Sequence, residues 1–455
     1  MTIPVKKNEQ HTVTIENTTV EGQGVCKING FVVFVPQTAA GDICDIRIVK
    51  VLKSHGYGIV TALRGASPDR TDADCPVYRQ CGGCCFRHLH YEAELRIKEQ
   101  AVRDAFIRLG GIEAPCEPIL PSPSIKEYRN KAQYPVGTDA DGNMIYGFYA
   151  NRSHRLIPCR DCSLQPELFS KIAADVCRLC DEYGIKAYDE EQRCGILRHI
   201  YLRMGEMSGE VMLCLVTACE AEPFSQIAAE LAARYPALQS VVLNINARTD
   251  NVILGGKNIL LFGKSAIRDE LCGLVFELSP LSFYQVNRAQ TERLYRLAAD
   301  YAGLTGSETV IDLYCGVGTI GLSMAARAKR IIGVEVVASA VDNARENAVR
   351  NGISNAEFIC ADAKQATRKL NEQGIRPDVV LLDPPRKGCD AAVVQDVSAM
   401  APQRIVMISC NPATAARDCA LFEQQGYRVL NYRPVDMFPR TRHVECVVLM
   451  SRVEK

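Results

Sequence analysis

The rhythm of apolar and polar positions changes along the chain, and each rhythm predicts a different kind of structure. Across residues 8–64 the two alternate between glycine turns, as half-buried strands require. Val13-Thr14-Ile15, residues 31–35, residues 44–48 and Gly58-Ile59-Val60 read as such strands, and Asn29-Gly30 is a hairpin turn signal. Several short strands in so few residues predict a small β-barrel, which either binds nucleic acid or serves as a structural cap. Residues 92–109 carry the period of an amphipathic helix, ended by Gly110-Gly111. Alternating strands and a helix continue to about residue 270.

From about residue 278 the pattern becomes short continuous apolar runs separated by helical stretches. Residues 309–313, 330–334, 356–360, 379–382 and 404–408 are such runs, the signature of parallel strands covered on both faces. Ser282-Phe283-Tyr284-Gln285-Val286-Asn287 is predicted to open a helix. The fold class is therefore α/β at the C-terminal end, with a barrel at the N-terminal end and an α+β region between them.

Composition narrows the function classes. The chain has 455 residues, 47% hydrophobic and 23% charged, enough for two to four ordinary domains. No apolar run approaches a membrane span, and the first residues lack the apolar segment of a signal peptide. A cytoplasmic location is expected. Net charge is zero, so any basic face for nucleic acid must be local. Twenty-one cysteines in a reducing compartment are not a disulfide framework. Most, such as Cys214 and Cys272, sit in apolar runs and are expected in cores.

One cysteine set stands apart. Cys75, Cys81 and Cys84 cluster around two glycines that allow a tight turn, with Cys85 adjacent and Cys159 and Cys162 following later. Two readings compete: a [4Fe-4S] cluster on Cys75, Cys81, Cys84 and Cys162, or zinc on the paired CxxC units, Cys81/Cys84 with Cys159/Cys162. The CxxxCxxC spacing of a radical S-adenosylmethionine (SAM) cluster is absent. Cys177 and Cys180 form a third CxxC inside a helical pattern.

Basic and aromatic residues interleave in residues 128–136, in residues 148–155, and around Arg198, His199 and Arg203. Cations follow phosphates and rings stack on splayed bases, so these stretches suit RNA; an ordinary solvated sheet face is the alternative for each.

The C-terminal strands end in chemistry. Asp312 leads into Tyr314-Cys315-Gly316-Val317-Gly318-Thr319, a glycine loop opening a helix. The next strand ends at Glu335, placed to take the ribose hydroxyls of a nucleoside cofactor, and Asp362 follows the third, where it meets an adenine edge. No pyrophosphate-type GxGxxG is present, which favours SAM over NAD. Two further strands end at Asp383-Pro384-Pro385-Arg386 and Ser409-Cys410-Asn411-Pro412. A cysteine beside a SAM site suits methylation of uracil C5. Thiolate addition at C6 makes C5 nucleophilic, and a base, Glu445, then removes the C5 proton. A base inside folded RNA must be flipped out to reach the thiol.

These motifs, together with Phe283-Tyr284-Gln285-Val286-Asn287 and His443-Val444-Glu445, resemble the bacterial RNA (uracil-5-)methyltransferases over essentially the whole chain. They are most similar to the branch that methylates 23S ribosomal RNA with an N-terminal TRAM barrel and a [4Fe-4S] cluster. The resemblance implies Cys410 as nucleophile and Glu445 as base. It implies SAM contacts at Gln285, Tyr314, Glu335 and Asp383, and cluster ligation by Cys75, Cys81, Cys84 and Cys162 rather than Cys159. Some relatives carry asparagine where this chain has Thr319, so no SAM contact is assigned there.

The implied organisation is a TRAM-like barrel over residues 1–65, a central cluster-bearing and RNA-contacting region over 66–275, and a Rossmann-like methyltransferase domain over 276–455. The helix at about 92–118 is expected to pack on the last of these. No obligate protein partner and no membrane are expected. The alternatives are a tRNA uracil-5 methyltransferase, an iron–sulfur RNA-binding protein with an inactive methyltransferase domain, and a zinc-stabilised amino-methyltransferase that would not need Cys410.

Overall fold

A computed structural model describes residues 3–221 and 223–453. Its N-terminal strands are β1 (Gln10–Thr14), β2 (Asn17–Thr18), β3 (Gln23–Ile28), β4 (Phe31–Pro36), β5 (Ile43–Val51) and β6 (His55–Gly65). They form one sheet in the order β1-β5-β6-β4-β3-β2. Alternate residues point inward: Cys44, Ile46 and Ile48 of β5 are fully buried with Val33 and Val35 of β4. Asn29 and Gly30 join β3 to β4 with φ of 49° and 82°, the left-handed pair that a tight hairpin with the strands' own twist requires.

The cysteine loop follows, without helix or strand, and leads into α1 (Tyr91–Ala105) and a π turn (Phe106–Gly110). The helix stops at Gly111, whose φ is 65°, short of residue 118. Phe106 stacks on Tyr432 at 4.1 Å, and the two share a core with Ile311, Leu313 and Val380 of the C-terminal sheet.

The central region contains β7 (Lys131–Thr138), β8 (Met144–Tyr149), β9 (Leu156–Pro158), α2 (Glu167–Glu182), β10 (Leu197–Met204), β11 (Val211–Thr217), α3 (Phe224–Arg234), β12 (Leu238–Ile245) and β13 (Lys257–Gly263). The sheet runs β13-β12-β11-β10-β7-β8-β9, with only β11 and β12 parallel. Both helices cover one face, burying Phe169, Ile172, Phe224 and Ile227 against Leu202 and Leu213.

The expectation that this sheet's basic and aromatic side chains reach RNA is corrected for several of them. Tyr134, Arg198, His199 and Arg203 are all buried. Arg203 donates to the carbonyls of Ser279 and Ser282 at 2.9 and 2.7 Å, and Arg198 to that of Asn246 at 2.8 Å. These guanidiniums satisfy backbone acceptors inside the protein. Arg152, His154 and Arg155 do stand exposed.

A hairpin, β14 (Ile267–Leu271) and β15 (Leu274–Leu278), precedes α4 (Arg288–Ala302). Cys272, expected in a core, is exposed at the hairpin turn with φ 54°. The predicted helix start is displaced as well: Asn287 is the N-cap, accepting from the Gln290 amide at 3.2 Å.

The remaining elements are β16 (Thr309–Leu313), α5 (Thr319–Met324), β17 (Arg330–Glu335), α6 (Ala338–Arg350), β18 (Ala356–Cys360), α7 (Ala363–Glu372), β19 (Val379–Leu382), α8 (Ala391–Met400), β20 (Arg404–Ser409), α9 (Pro412–Gln424), β21 (Tyr427–Val435) and β22 (Glu445–Arg452). The sheet order is β18-β17-β16-β19-β20-β22-β21. The first five strands are parallel, and β22 is antiparallel to both neighbours. Strand order reverses between β16 and β19, and ligands of open α/β sheets sit at the carboxyl ends of the strands beside such a point. Among the described residues no helix is long and apolar enough to cross a membrane.

Candidate active site

The carboxyl ends of β16, β17 and β19 each carry an acid. Asp312 is buried, and its Oδ2 accepts from the Gly321 amide at 2.9 Å while Oδ1 has no partner. Burial, with Asp383 and Glu335 nearby, pushes its carboxyl up to about 7. Residue 321 must be glycine because a Cβ there would stand 2.8 Å from Oδ2. Tyr314 turns the chain out of β16 with φ 65°, a strained conformation for a bulky residue that functional loops tend to store.

Glu335 closes that loop from below: its Oε2 accepts from Gly316 N at 3.1 Å and its Oε1 from Val337 N at 2.8 Å. Each oxygen keeps a lone pair free for a ligand hydroxyl. Asp362 caps α7 through the Lys364 amide at 3.0 Å. Thr319 is engaged with the Tyr295 hydroxyl at 2.8 Å. Gln285 lies before α4, its carbonyl accepting from Asn130 Nδ2 at 3.0 Å.

The second group of residues gathers around the end of β20. Ser409 pairs with Cys446 across β20 and β22, so Cys410 and Glu445, the next residues outward, leave their strands side by side. Cys410 is half-buried, followed by Asn411 as N-cap of α9 and Pro412 at its first position. The Asp383–Arg386 turn is fastened to this helix start, with the Arg386 carbonyl accepting from Asn411 Nδ2 at 3.0 Å.

Burial pushes the Cys410 thiol up, Glu445 and Asp383 push it further, and the Arg386 guanidinium pulls it down. Glu445 is buried, and burial together with Asp383 raises its carboxyl to about 8, against the pull of Arg386. Burial lowers His443 to about 4, with Arg386 and Arg442 adding to the effect. Arg386 thus acts on the thiol, the acid and the imidazole together. The Asp-Pro-Pro-Arg run signalled it in the sequence, yet no role was read from it.

The cysteine loop lies close to this site. Cys85 N and Phe86 N donate to the Arg440 carbonyl at 2.8 and 3.2 Å. Burial raises the Cys81 and Cys84 thiols, with Cys162 and Cys75 adding to the effect at Cys81, and Cys162 and Cys81 at Cys84. A hydrogen bond from Cys159 draws Cys162 down to about 6. Arg87 donates to the Cys84 sulfur at 3.3 Å. Among the described residues, however, no three His, Cys, Asp or Glu side chains are arranged to hold a metal ion. The ligand set assigned to Cys75, Cys81, Cys84 and Cys162 is therefore not closed. The Arg87 guanidinium beside Cys84 favours a thiolate there, and Cys159 stands in hydrogen-bond contact with Cys162. A groove lined by Gln23, Gln37, Arg79, Arg152, Arg442 and His443 runs from the barrel past this loop to the residues before Glu445.

Residues 90–453 match the family model described as tRNA (Uracil-5-)-methyltransferase, and residues 4–61 match the TRAM domain. Relatives named as RNA methyltransferases include one from Bacillus cereus, 44% identical over 100% of this chain and 99% of its own. Another from Halalkalibacterium halodurans is 44% identical over 98% of both chains. Among solved structures, the Pyrococcus abyssi tRNA (uracil-54, C5)-methyltransferase in complex with S-adenosyl-L-homocysteine is 28% identical. It superposes with a TM-score of 0.78 over 96% of this chain and 99% of its own. With the acid-rimmed sheet end, the adjoining cysteine and these matches, the chain belongs to the SAM-dependent RNA (uracil-5-)methyltransferase family and carries an N-terminal TRAM domain.

Proposed function

We propose that this protein methylates C5 of a uracil in 23S ribosomal RNA, with Cys410 as nucleophile and Glu445 as the proton-abstracting base. The observation that carries the reading is the placement of a half-buried thiol next to a buried carboxyl whose proton affinity is raised to about 8. The Cys410 thiolate adds to uracil C6, and the electron pair of the C5–C6 double bond becomes nucleophilic at C5. C5 takes the methyl group of SAM, releasing S-adenosylhomocysteine. Glu445 then removes the C5 proton, the double bond reforms and the thiolate leaves. A carboxyl raised toward neutrality is better matched to that proton than an ordinary glutamate.

Gln285, Tyr314, Glu335 and Asp383 are the SAM contacts. Glu335 offers two oxygens for the ribose hydroxyls. Asp312 and Asp383, both pushed up to about 7 by burial, give a sulfonium cation a favourable field when they ionise. Arg386 stabilises the thiolate. The groove from the barrel to His443 carries the RNA strand, with Arg79, Arg152 and Arg442 against phosphates.

The loop of Cys75, Cys81, Cys84 and Cys162 holds a [4Fe-4S] cluster in this reading, supported by the influence of these thiols on one another and by Arg87 on Cys84. The chain is read as three units, 1–65, 66–275 and 276–455. A tRNA substrate is the second reading, favoured by the matching family's description and by the tRNA specificity of the Pyrococcus enzyme.

The test is covalent trapping. Wild-type protein and Cys410→Ala are incubated with SAM and either 23S ribosomal RNA or tRNA containing 5-fluorouridine, then run on a denaturing gel. Fluorine at C5 does not leave as a proton does, so the reaction stalls as a protein–RNA adduct. An adduct with ribosomal RNA that vanishes in Cys410→Ala is the expected result. An adduct with tRNA alone transfers the substrate to the second reading. No adduct with either RNA overturns the nucleophile.

A further inference from the structure

Nine residues connect β21 to Glu445, numbers 436–444, and their backbone is held by unusually distant parts of the chain. The Met437 carbonyl accepts from Asn287 Nδ2 at 3.1 Å. The Phe438 carbonyl accepts from Lys98 Nζ at 3.1 Å, and that of Pro439 from the Tyr128 hydroxyl at 2.9 Å. The Arg440 carbonyl takes the amides of Cys85 and Phe86. Four successive carbonyls are thus fixed by α4's N-cap, α1, the segment before β7 and the cysteine loop.

At the centre is a buried ionic cluster. Lys98 of α1 is fully buried and reaches Glu94 Oε1 at 2.8 Å and Asp436 Oδ1 at 2.7 Å. Tyr91 donates to Asp436 Oδ2 at 2.7 Å, and its oxygen accepts from Ser122 N at 2.9 Å. Glu94 Oε1 accepts from the Arg440 amide at 2.7 Å. The cluster therefore grips both ends of the run 436–440 and ties it to one face of α1.

A buried ion pair is a poor source of stability, because desolvation offsets the attraction, and its better-attested use is to fix one register. Here the register fixed is that of the segment leading into Glu445. We infer that Lys98, acting through Asp436, Glu94 and the Phe438 carbonyl, is a positioning residue that holds Glu445 in place for proton abstraction. Tyr91 shares that role. The inference rests on Glu445 being the base, and it separates two steps of one reaction. Thiol addition and methyl transfer depend on β20, β19 and the glycine loop, which the cluster does not touch. Removal of the C5 proton depends on the run 436–440 that the cluster grips, whereas Arg442 and His443 beyond it line the groove proposed for RNA.

The experiment follows the covalent RNA adduct and released S-adenosylhomocysteine in a single turnover with unmodified RNA substrate. The variants are Glu445→Gln, Tyr91→Phe, and the charge-free set Glu94→Gln/Lys98→Met/Asp436→Asn. The set removes the charges of Glu94, Lys98 and Asp436 together and leaves Arg440, whose guanidinium lies 3.5 Å from Glu94 Oε2, bonded to the Leu89 carbonyl; Tyr91→Phe removes one hydroxyl from an intact cluster.

Glu445→Gln should accumulate the methylated adduct, because the thiolate cannot leave while the C5 proton remains. The two cluster variants should release S-adenosylhomocysteine at the wild-type rate in the first turnover yet resolve the adduct more slowly. About tenfold is expected for the charge-free set, in line with a sub-ångström displacement of a catalytic group. kcat should fall by a larger factor than KM for RNA rises, since Arg442 and His443 also line the RNA groove. If Glu445→Gln leaves no adduct, the base assignment is wrong. If Glu445→Gln accumulates it while Tyr91→Phe and the charge-free set resolve it as wild type does, the positioning inference is overturned. If the set does not fold, Tyr91→Phe alone decides.

Discussion

Asp383 and Glu445 stand at the ends of β19 and β22, the two strands that flank β20, so Cys410 lies between them, and both carboxyls push its thiol up. The same proximity lets Asp383 raise Glu445. At neutral pH Glu445, raised to about 8, favours its protonated form, which lessens its opposition to a thiolate. In the reaction proposed above, the nucleophile and the base are then not charged together at rest.

Glu445→Gln tests the base directly. A general base contributes roughly 10²–10⁴ in rate, and turnover should fall by that order. In wild type the adduct should resolve faster as pH rises through about 8, the folded value of the group. Stability should move the other way. Between its ordinary value near 4.5 and about 8 the folded chain holds the proton that the unfolded chain releases, so stability declines as pH rises through that window. Glutamine cannot ionise, and the variant should lose this slope in chemical denaturation measured across the window.

Arg386→Met removes the cation that opposes burial at Cys410. The thiol should then titrate at higher pH. Alkylation of Cys410 at neutral pH should slow about tenfold if the change is worth about 1.4 kcal/mol, and the pH profile of adduct formation should shift to the alkaline side.

Gly321→Ala places a methyl group 2.8 Å from the Asp312 carboxylate. Such overpacking costs about 1–3 kcal/mol, and it should break the 2.9 Å bond that orders the start of α5. Both the melting temperature and SAM affinity, by calorimetry, should drop.

Cys81→Ser and Cys162→Ser address the thiol centre. Anaerobically prepared wild type should contain iron and sulfide and absorb visible light, and each variant should lose both signals. Zinc without iron in wild type would select the CxxC pairing instead, in which case Cys159→Ser should be as damaging as Cys162→Ser.

Much of the site was legible because parallel strands announce themselves. Continuous runs such as Val379–Leu382 end where the chain must turn, and Asp383, Glu335 and Cys410 stood at those ends in the sequence as they do in the fold. Asn29-Gly30 was equally local, since its φ values depend on the two residues themselves. The basic stretches misled because period two says which residues share a face, not what covers it. Arg198 and Arg203 point into protein, where the carbonyls they bind lie far along the chain, at residues 246 to 282. Cys272 sat among apolar neighbours but fell on a two-residue turn. The hold of Lys98 on Phe438 joins positions |i−j| = 340 apart, which no local pattern encodes.

That long-range hold on residues 437–440 ties the approach to Glu445 to the docking of α1 and the cysteine loop. Contacts so remote in sequence form late in folding, after the local helices and strands. A chain whose sheet has closed but whose α1 or cysteine loop has not yet docked has Cys410 and Glu445 adjacent across β20 and β22, yet lacks the hold on the run that leads into Glu445. With Glu445 as the base proposed above, such a half-built chain is expected to form its uracil adduct more readily than it resolves it, and the segment before Glu445 then links completed turnover to full docking.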